Sequence, residues 1–410
     1  MISLLHDKIT RTVRTFPWYG KSLADAGIDR FDVRSVAELP LITSDVLERY
    51  YYSSEQPYSS EAEDGKITVY RTSGTSSNRR KQIFYSAEDE RQYIRIKAEL
   101  FRKLLGSSGV RTALSDMGTG HAASTALDVF SQLGIKADSI PFELPIARHL
   151  ERIRALRPEA LYTMPSILDR LLAAAKDDPA GYGIRRVILV GEIVSPAWLR
   201  SVGERLGLAE GDIADTYGSI EIGTIAYYSR EHGRYLFVDG IQAEGIPAET
   251  LGVDWEPLSG GESVLVLTSY ARDLFPSLRY VTYDVVRDLR PILVNGKRRM
   301  SFEAIVRRIG PDLKHGEKIS VYDIENVVYR HLKDARIRIR VSGNHLAVHV
   351  GSSEGDPAVY ERIGKELADR IPEIGQMIRG GLLEAIRVLP FREEETSDAG
   401  PMKRKKIFYD

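Results

Sequence analysis

Four short clusters in the chain hold residue types able to bind phosphate, a flat ring, a divalent cation or a sugar. Thr72-Ser-Gly-Thr-Ser-Ser-Asn-Arg-Arg-Lys81 sets small hydroxyl residues around Gly74 and follows them with Arg79, Arg80 and Lys81. Backbone N–H groups of such a loop can close around phosphate oxygens, and the cations can neutralise their charge. The spacing differs from the G-x-x-x-x-G-K-[ST] loop, since no second Gly precedes a Lys–Ser/Thr pair. A polar surface loop with solvated cations is the competing explanation. Gly191-Glu192 follows an apolar run. A Gly there lets a flat ring approach the backbone, and a plain strand-to-helix turn is the simpler alternative. Asp215-Thr-Tyr-Gly-Ser-Ile-Glu221-Ile-Gly223 gathers an aromatic ring, a tight turn and a carboxylate. Tyr217 can stack on a base, and Glu221 can hold Mg²⁺ on phosphate oxygens. The alternative is a buried Tyr and a surface Glu beside a turn. In Pro276-Ser-Leu-Arg-Tyr-Val-Thr-Tyr-Asp284 the aspartate stands at the last position of an expected strand. It can accept both hydroxyls of a ribose or simply end the strand.

Residues this far apart work together only if the fold gathers them. Ile67-Thr-Val-Tyr70 reads as a strand running into the hydroxyl-rich loop, and Ser86 as an N-cap with Glu88 and Glu90 in the first helical turn. Strands at 110–114, 136–142, 160–164, 187–190 and 213–217 alternate with helices ending at Leu133 and spanning 147–156, 167–175 and 197–206. That alternation predicts a mainly parallel sheet covered on both faces. Ligands of such sheets bind beyond the carboxyl ends of strands, where the clusters stand. From Tyr235 to Asp288, Gly and Pro separate short strands, which predicts an antiparallel subdomain. After Gly310-Pro311, helices at 324–332 and 359–370 enclose strands at 336–341 and 346–350, the pattern of a small α+β domain. Residues 1–60 read as helices and loops with an apolar face of Leu23, Ala24, Ile28, Phe31, Val36 and Leu39. The expected fold is α/β, with a large N-terminal domain over 1–308, a hinge at 309–315 and a small C-terminal domain over 316–410.

Composition narrows the class. The 410 residues predict two or three domains at about 150 residues each. With 57 Lys+Arg against 58 Asp+Glu the net charge is −1, so no whole-surface attraction draws the chain to nucleic acid or an anionic membrane. No apolar run approaches the roughly 18 residues of a membrane span. Asp7, Lys8, Arg11 and Arg14 interrupt the N-terminal stretch, unlike a signal peptide, and a cytoplasmic location is expected. The absence of cysteine excludes disulfides, thiolate metal sites and a thiol nucleophile.

Taken in order, the four clusters resemble the adenylate-forming superfamily of acyl-CoA synthetases and adenylation domains, and within it the phenylacetate–CoA ligase and coenzyme F390 synthetase group. Ala26 to Asp45 looks like that group's opening segment, and Gly316 to Glu325 like the start of its mobile C-terminal domain. The resemblance implies an ATP site. Thr72, Ser73, Gly74 and Thr75 match the phosphate loop, with Lys81 near its basic end. Gly191 and Glu192 match the adenine-side turn, and Tyr217 and Gly218 the adenine-stacking motif. Glu221 matches the Mg²⁺ ligand and Asp284 the ribose-binding aspartate. Arg307 matches the hinge arginine, with Arg308 as the alternative. Lys403 matches the catalytic lysine, with Lys405 and Lys406 as alternatives. The chain departs from the pattern at Ser77, where a second loop Gly is usual, at Ile220, where Thr or Ser precedes the motif Glu, and at Ile309-Gly-Pro311, where the hinge usually reads Gly-Arg-x-Asp-Asp.

The implied reaction is activation of a small-molecule carboxylic acid by ATP through an acyl-adenylate, with Mg²⁺ as cofactor. Transfer to a thiol follows, with coenzyme A as co-substrate. An aryl or arylacetyl acid–CoA ligase is the leading expectation. The alternative passes the acyl group to an acyl-carrier protein thiol or to an amine. His121, Met117, Ile193 and Ile222 are expected to line the acid pocket, although a lone His at a helix start is often a cap. No nucleic acid or membrane partner is expected, and the sequence leaves monomer and homodimer equally open.

Overall fold

The computed structural model describes residues 2–52, 67–71, 81–106, 108–117, 121–141, 144–252, 255, 257–309, 320–342, 344–379, 383–390 and 407–409. The chain divides into two compact units: Met1–Ser107, Gly120–Leu133 and Thr216–Gly316 form the first, and Ser108–Thr119, Gly134–Asp215 and Glu317–Asp410 the second.

The first unit begins with helices Ile2–Thr15, Pro17–Asp25 and Ser44–Tyr50. Strand Ile67–Arg71 pairs antiparallel with Gln82–Ser86, a second strand that the sequence pattern did not reveal. Helix Ala87–Leu105 follows with the expected Ser86 cap. The cap is a full capping box: Ser86 Oγ accepts from Asp89 N and the Asp89 carboxylate accepts from Ser86 N. An antiparallel sheet orders Ile241–Ile246, Glu262–Ser269, Tyr280–Arg287 and Ala304–Arg308. Arg290–Val294, Lys297–Phe302, Arg234–Phe237 and Gly223–Ser229 form a further antiparallel run, and Gly223–Ser229 pairs antiparallel with Thr216–Ser219. The antiparallel subdomain is therefore present and extends beyond the expected bounds. The apolar face expected near the N-terminus holds at Leu23, Val36 and Leu39, all buried, but Ala24 and Phe31 are exposed. Phe31 lies against the Arg30 guanidinium instead, at 4.6 Å.

The second unit carries the parallel strands. Lys136–Ser139, Thr112–Asp116, Ala160–Thr163 and Arg186–Val190 are neighbours in that order, every pair parallel. Helices Ile146–Leu156, Pro165–Ala174 and Pro196–Leu206 alternate with them. Pro165, expected to stop a strand, also opens the next helix, because its fixed φ suits the first helical turn and its missing N–H costs nothing there. The small C-terminal domain has its own core of Ile324, Val328, Ile339, Val348, Ile363 and Leu367. Its sheet orders Arg387–Pro390, His345–Gly351, Arg336–Ser342 and Ile407–Tyr409. This is the mixed α/β architecture expected, with a parallel sheet, antiparallel sheets and a separate small domain. Of the expected hinge, only buried Ile309 lies among the described residues. No described helix is long and apolar enough to cross a membrane.

At the end of strand Thr112–Asp116 a buried ion pair fixes the chain. His149 Nδ1 lies 2.9 Å from Asp116 Oδ2, and its Nε2 lies 3.1 Å from the Leu144 carbonyl oxygen. Burial acts to lower the imidazole pKa, but the Asp116 carboxylate outweighs it and holds His149 above its ordinary value of 6.5. A raised folded-state pKa contributes stability that is complete below the unfolded value and is lost as pH rises through the folded one. The difference in unfolding free energy between the wild type and His149→Asn should therefore shrink as pH rises from below 6.5 into the alkaline range. Urea titrations across that range check this, and a difference that grows with pH would contradict the charged pair.

Candidate active site

The site grows from the strand pair that carries Tyr217 and from a bulge in strand Tyr280–Arg287. Tyr217 lies within strand Ile213–Ser219, which runs past the expected stop at Gly218. It can do so because Gly218 has no side chain: a Cβ there would stand 2.8 Å from the Gly223 carbonyl oxygen. Asp284 does not end its strand, contrary to expectation; it lies in the middle. Against strand Glu262–Ser269, Val264 pairs with Val285 and Val266 with Val281, so residues 282–284 bulge out of the ladder. Tyr283 takes the left-handed region at φ 63°, and Thr282 Oγ1 donates to the Leu265 carbonyl (2.9 Å) and accepts from Asp284 N (3.1 Å). A non-Gly residue there is strained. The distortion is pinned from outside, because the Tyr283 hydroxyl accepts from Ser44 N at 3.0 Å and Ile309 N donates to the Tyr283 carbonyl at 2.8 Å.

The outcome is a direct contact between two separately predicted residues: the Tyr217 hydroxyl donates to Asp284 Oδ2 at 2.5 Å. Burial first, then the Asp284 charge, pushes the Tyr217 phenol well above its ordinary pKa, so it stays a donor. Arg308 Nε stands 3.8 Å from Asp284 Oδ1, and the carboxylate raises the guanidinium pKa further. Arg307, the first match for the hinge arginine, is instead paired with buried Glu262 at 2.9 Å. Of the two arginines, Arg308 faces Asp284.

Glu221 sits in the turn between Ile213–Ser219 and Gly223–Ser229, and its charge bears on Tyr52, Tyr85, Tyr280 and Arg308. Mg²⁺ is commonly held by one or two carboxylates together with phosphate oxygens and water. A half-buried carboxylate among phenols, with Asp284 bearing on the same Tyr280 and Arg308, fits that need. Lys81 Nζ is 2.7 Å from Glu48 Oε1 and 4.9 Å from the Tyr52 ring centre. It therefore belongs to the same neighbourhood through Tyr52.

His121 opens the short helix His121–Ser124 and is buried. Its ring centre lies 3.8 Å from that of Tyr93, 4.0 Å from Tyr85 and 4.6 Å from Tyr70. Burial, with Lys97 and Arg272 nearby, drives its pKa down to about 2, so the imidazole is neutral. Its Nε2 is buried without a hydrogen-bond partner among the described residues. Ile222 is buried in the Glu221 turn.

The remaining predicted residues belong to the second unit or fall outside the described residues. Gly191, Glu192, Ile193 and Met117 belong to the second unit, where Glu192 Oε2 accepts from Ser166 N (2.7 Å) in the first turn of helix Pro165–Ala174. A carboxylate there complements the helix dipole, which gives Glu192 a structural task. Thr72, Ser73, Gly74 and Thr75 lie outside the described residues, as do Lys403, Lys405 and Lys406. A cleft of about 480 Å³ in the second unit is lined by Trp198, Arg205, Tyr329, Lys333, Arg336 and Ser352 among others, and none of the predicted site residues lines it.

What sequence reasoning missed is the support beneath Glu221. Arg272, Asp89, Tyr85 and Tyr93 are all buried, and all touch the turn or its neighbours. A buried Arg carries no periodic signal. The available hint was Asp89 at the third helical position after the Ser86 cap.

Residues 314–392 match the family described as the fumarate–diaminopropanoate ligase C-terminal domain. The chain is 34% identical over 374 residues to fumarate–(S)-2,3-diaminopropanoate ligase of Enterobacter agglomerans, covering 91% of each protein. Its fold is similar to that of 2-hydroxyisobutyryl-CoA ligase in the postadenylation state, with a TM-score of 0.76 at 15% identity over 100% of this chain and 88% of that one. It is also similar to the amide bond synthetase McbA from Marinactinospora thermotolerans, with a TM-score of 0.51 at 17% identity over 81% of this chain and 67% of that one. The chain belongs to the family of fumarate–(S)-2,3-diaminopropanoate ligase.

Proposed function

We propose that the chain joins a small carboxylic acid to an amine through an acyl-adenylate, with fumarate and (S)-2,3-diaminopropanoate as the first pair to test. The observation that carries the reading is the full-length likeness to a ligase named for those two substrates, on a chain whose Tyr217, Asp284 and Arg308 meet in one cluster. In the first step a carboxylate oxygen bonds to the α-phosphorus of ATP, and the bond to pyrophosphate breaks. In the second the amine nitrogen bonds to the acyl carbon, the bond to AMP breaks and the nitrogen sheds a proton.

Tyr217 and Asp284 hold the nucleoside by its base and ribose, which is positioning rather than acid–base work. Residues 72–75 and Lys81 hold the leaving pyrophosphate. Glu221 would hold Mg²⁺, which when bound withdraws charge from the phosphate oxygens. Lys403 meets the charge that develops between two anions. His121, Met117, Ile193 and Ile222 contact the acid, and the domain from 316 onward swings about 309–315 between the steps. A second reading keeps coenzyme A as the acceptor, with an aryl or arylacetyl acid; the full-length likeness of fold to a CoA ligase supports it.

Pyrophosphate release with a panel of acids, each with the diamine, with CoA or with neither, followed by product mass, tests both readings. The amide reading expects fumarate-dependent release and an N-acyl product with the diamine. A CoA thioester with no amide favours the second reading, and no release with any acid rejects both. Lys403→Ala is expected to slow adenylate formation by at least about tenfold. An unchanged rate moves the role to Lys405 or Lys406.

A further inference from the structure

We propose that Arg272 and Tyr85 are positioning residues that fix the Glu221 turn by holding two successive backbone carbonyls. Arg272 Nε donates to the Glu221 carbonyl at 3.0 Å, and the Tyr85 hydroxyl donates to the Ile220 carbonyl at 2.8 Å. The two holders support each other, since the Arg272 guanidinium lies over the Tyr85 ring, 3.6 Å from its centre. Arg272 cannot drift. Its Nη1 is 2.6 Å from Asp89 Oδ2, its Nη2 donates to the Phe84 carbonyl at 2.9 Å, and both ends of the ion pair are buried. The Arg272 carbonyl in turn accepts from Ser277 Oγ (3.0 Å) and from Lys8 Nζ.

The rest of the turn is closed as well. Ser219 Oγ accepts from Ile222 N at 3.2 Å, and a Cβ on Gly223 would come 2.9 Å from the Tyr93 ring. A turn held at each of these points has little freedom to move its one carboxylate. Tyr85 and Tyr93 also carry the ring of His121, so a single aromatic platform underlies both Glu221 and a residue assigned to the acid. Groups that orient a metal-binding carboxylate commonly govern metal affinity by about 10- to 100-fold.

The inference rests on the reading of Glu221 as the Mg²⁺ carboxylate, and the test separates the two. Wild type, Glu221→Gln, Tyr85→Phe and Arg272→Lys are titrated with Mn²⁺ in the presence of α,β-methylene-ATP, with free Mn²⁺ read by electron paramagnetic resonance. The Mg²⁺ dependence of pyrophosphate release and the melting temperature without nucleotide are measured in parallel. Tyr85→Phe is expected to weaken Mn²⁺ binding about fivefold, the size of one lost hydrogen bond, with kcat at saturating Mg²⁺ held within about twofold. Arg272→Lys is expected to weaken it by about tenfold or more. If Glu221→Gln weakens binding while the other two bind as wild type and only melt earlier, Arg272 and Tyr85 are core residues and the proposal is wrong. If Glu221→Gln itself binds as wild type, the proposal falls with the assignment of Glu221. Should Arg272→Lys fail to fold, Tyr85→Phe alone decides.

Discussion

Replacing Asp284 by Ala is expected to lower kcat/KM for ATP in the pyrophosphate-forming step by about 10²-fold. Hydrogen bonds to an ionised acceptor are worth about 1.5–3 kcal/mol each. A carboxylate that takes both ribose hydroxyls therefore accounts for a loss of that order even after relaxation. The structure adds a second cost. Asp284 is the acceptor of the 2.5 Å bond from Tyr217 and the counter-charge of Arg308. Its removal leaves the phenol without that acceptor beside the nucleoside. Asn retains an acceptor for Tyr217 but not the charge, so Asp284→Asn should fall between Ala and wild type. The ribose role has its own signature. Wild type should favour ATP strongly over 2′,3′-dideoxy-ATP, and Asp284→Ala should lose most of that preference. A variant that discriminates between the two nucleotides as well as wild type does would show that the carboxylate holds Tyr217 and Arg308 and no sugar.

The sequence exposed the types of the site residues better than their placement. Tyr217 and Asp284 were legible because an aromatic next to a Gly, and an acid after Arg-Tyr, stand out against apolar strands. Their separation of 67 residues hid the contact. The bulge that aims Asp284 was invisible for a physical reason: bulges are set by cross-strand register and by outside ties such as Ser44 to Tyr283, and neither leaves a local pattern. The parallel strands of the second unit were legible because a strand buried on both faces needs a continuous apolar run, as Val187 to Val190 provides. Gln82–Ser86 was missed because it is short and polar at both ends, and among the described residues its one strand partner is Ile67–Arg71. Phe31 misled because burial follows tertiary contact, and a loop aromatic can settle on an arginine. Between Arg307 and Arg308 the resemblance put Arg307 first. In the structure Arg307 pairs with Glu262 and Arg308 faces Asp284.

The largest effect on stability is expected at Asp89. Its Oδ1 accepts from Asp273 N at 2.7 Å, and its Oδ2 accepts from Leu274 N (3.1 Å) and Ser86 N (3.2 Å) and faces Arg272 Nη1 at 2.6 Å. Asp89→Ala strips all four donors at once and leaves the Arg272 charge buried without its counter-ion. Breaking a buried pair by removing one partner costs about 3–5 kcal/mol. Its neighbour provides the control. Glu88 is paired with Arg91 at 2.6 Å, yet both side chains are exposed. Water screens such a pair and the gain is small, so Glu88→Ala should leave the urea midpoint unchanged. Two carboxylates one residue apart, each with an arginine at the same distance, thus differ in consequence because only one is out of water. Exchanging both partners, Asp89→Leu with Arg272→Met, should recover part of the loss, since apolar replacement of a whole buried pair is often tolerated. That double variant would still lack the donor to the Glu221 carbonyl. Stability should therefore return further than catalysis does, and a variant in which both return together would mean that Arg272 acts on the fold alone.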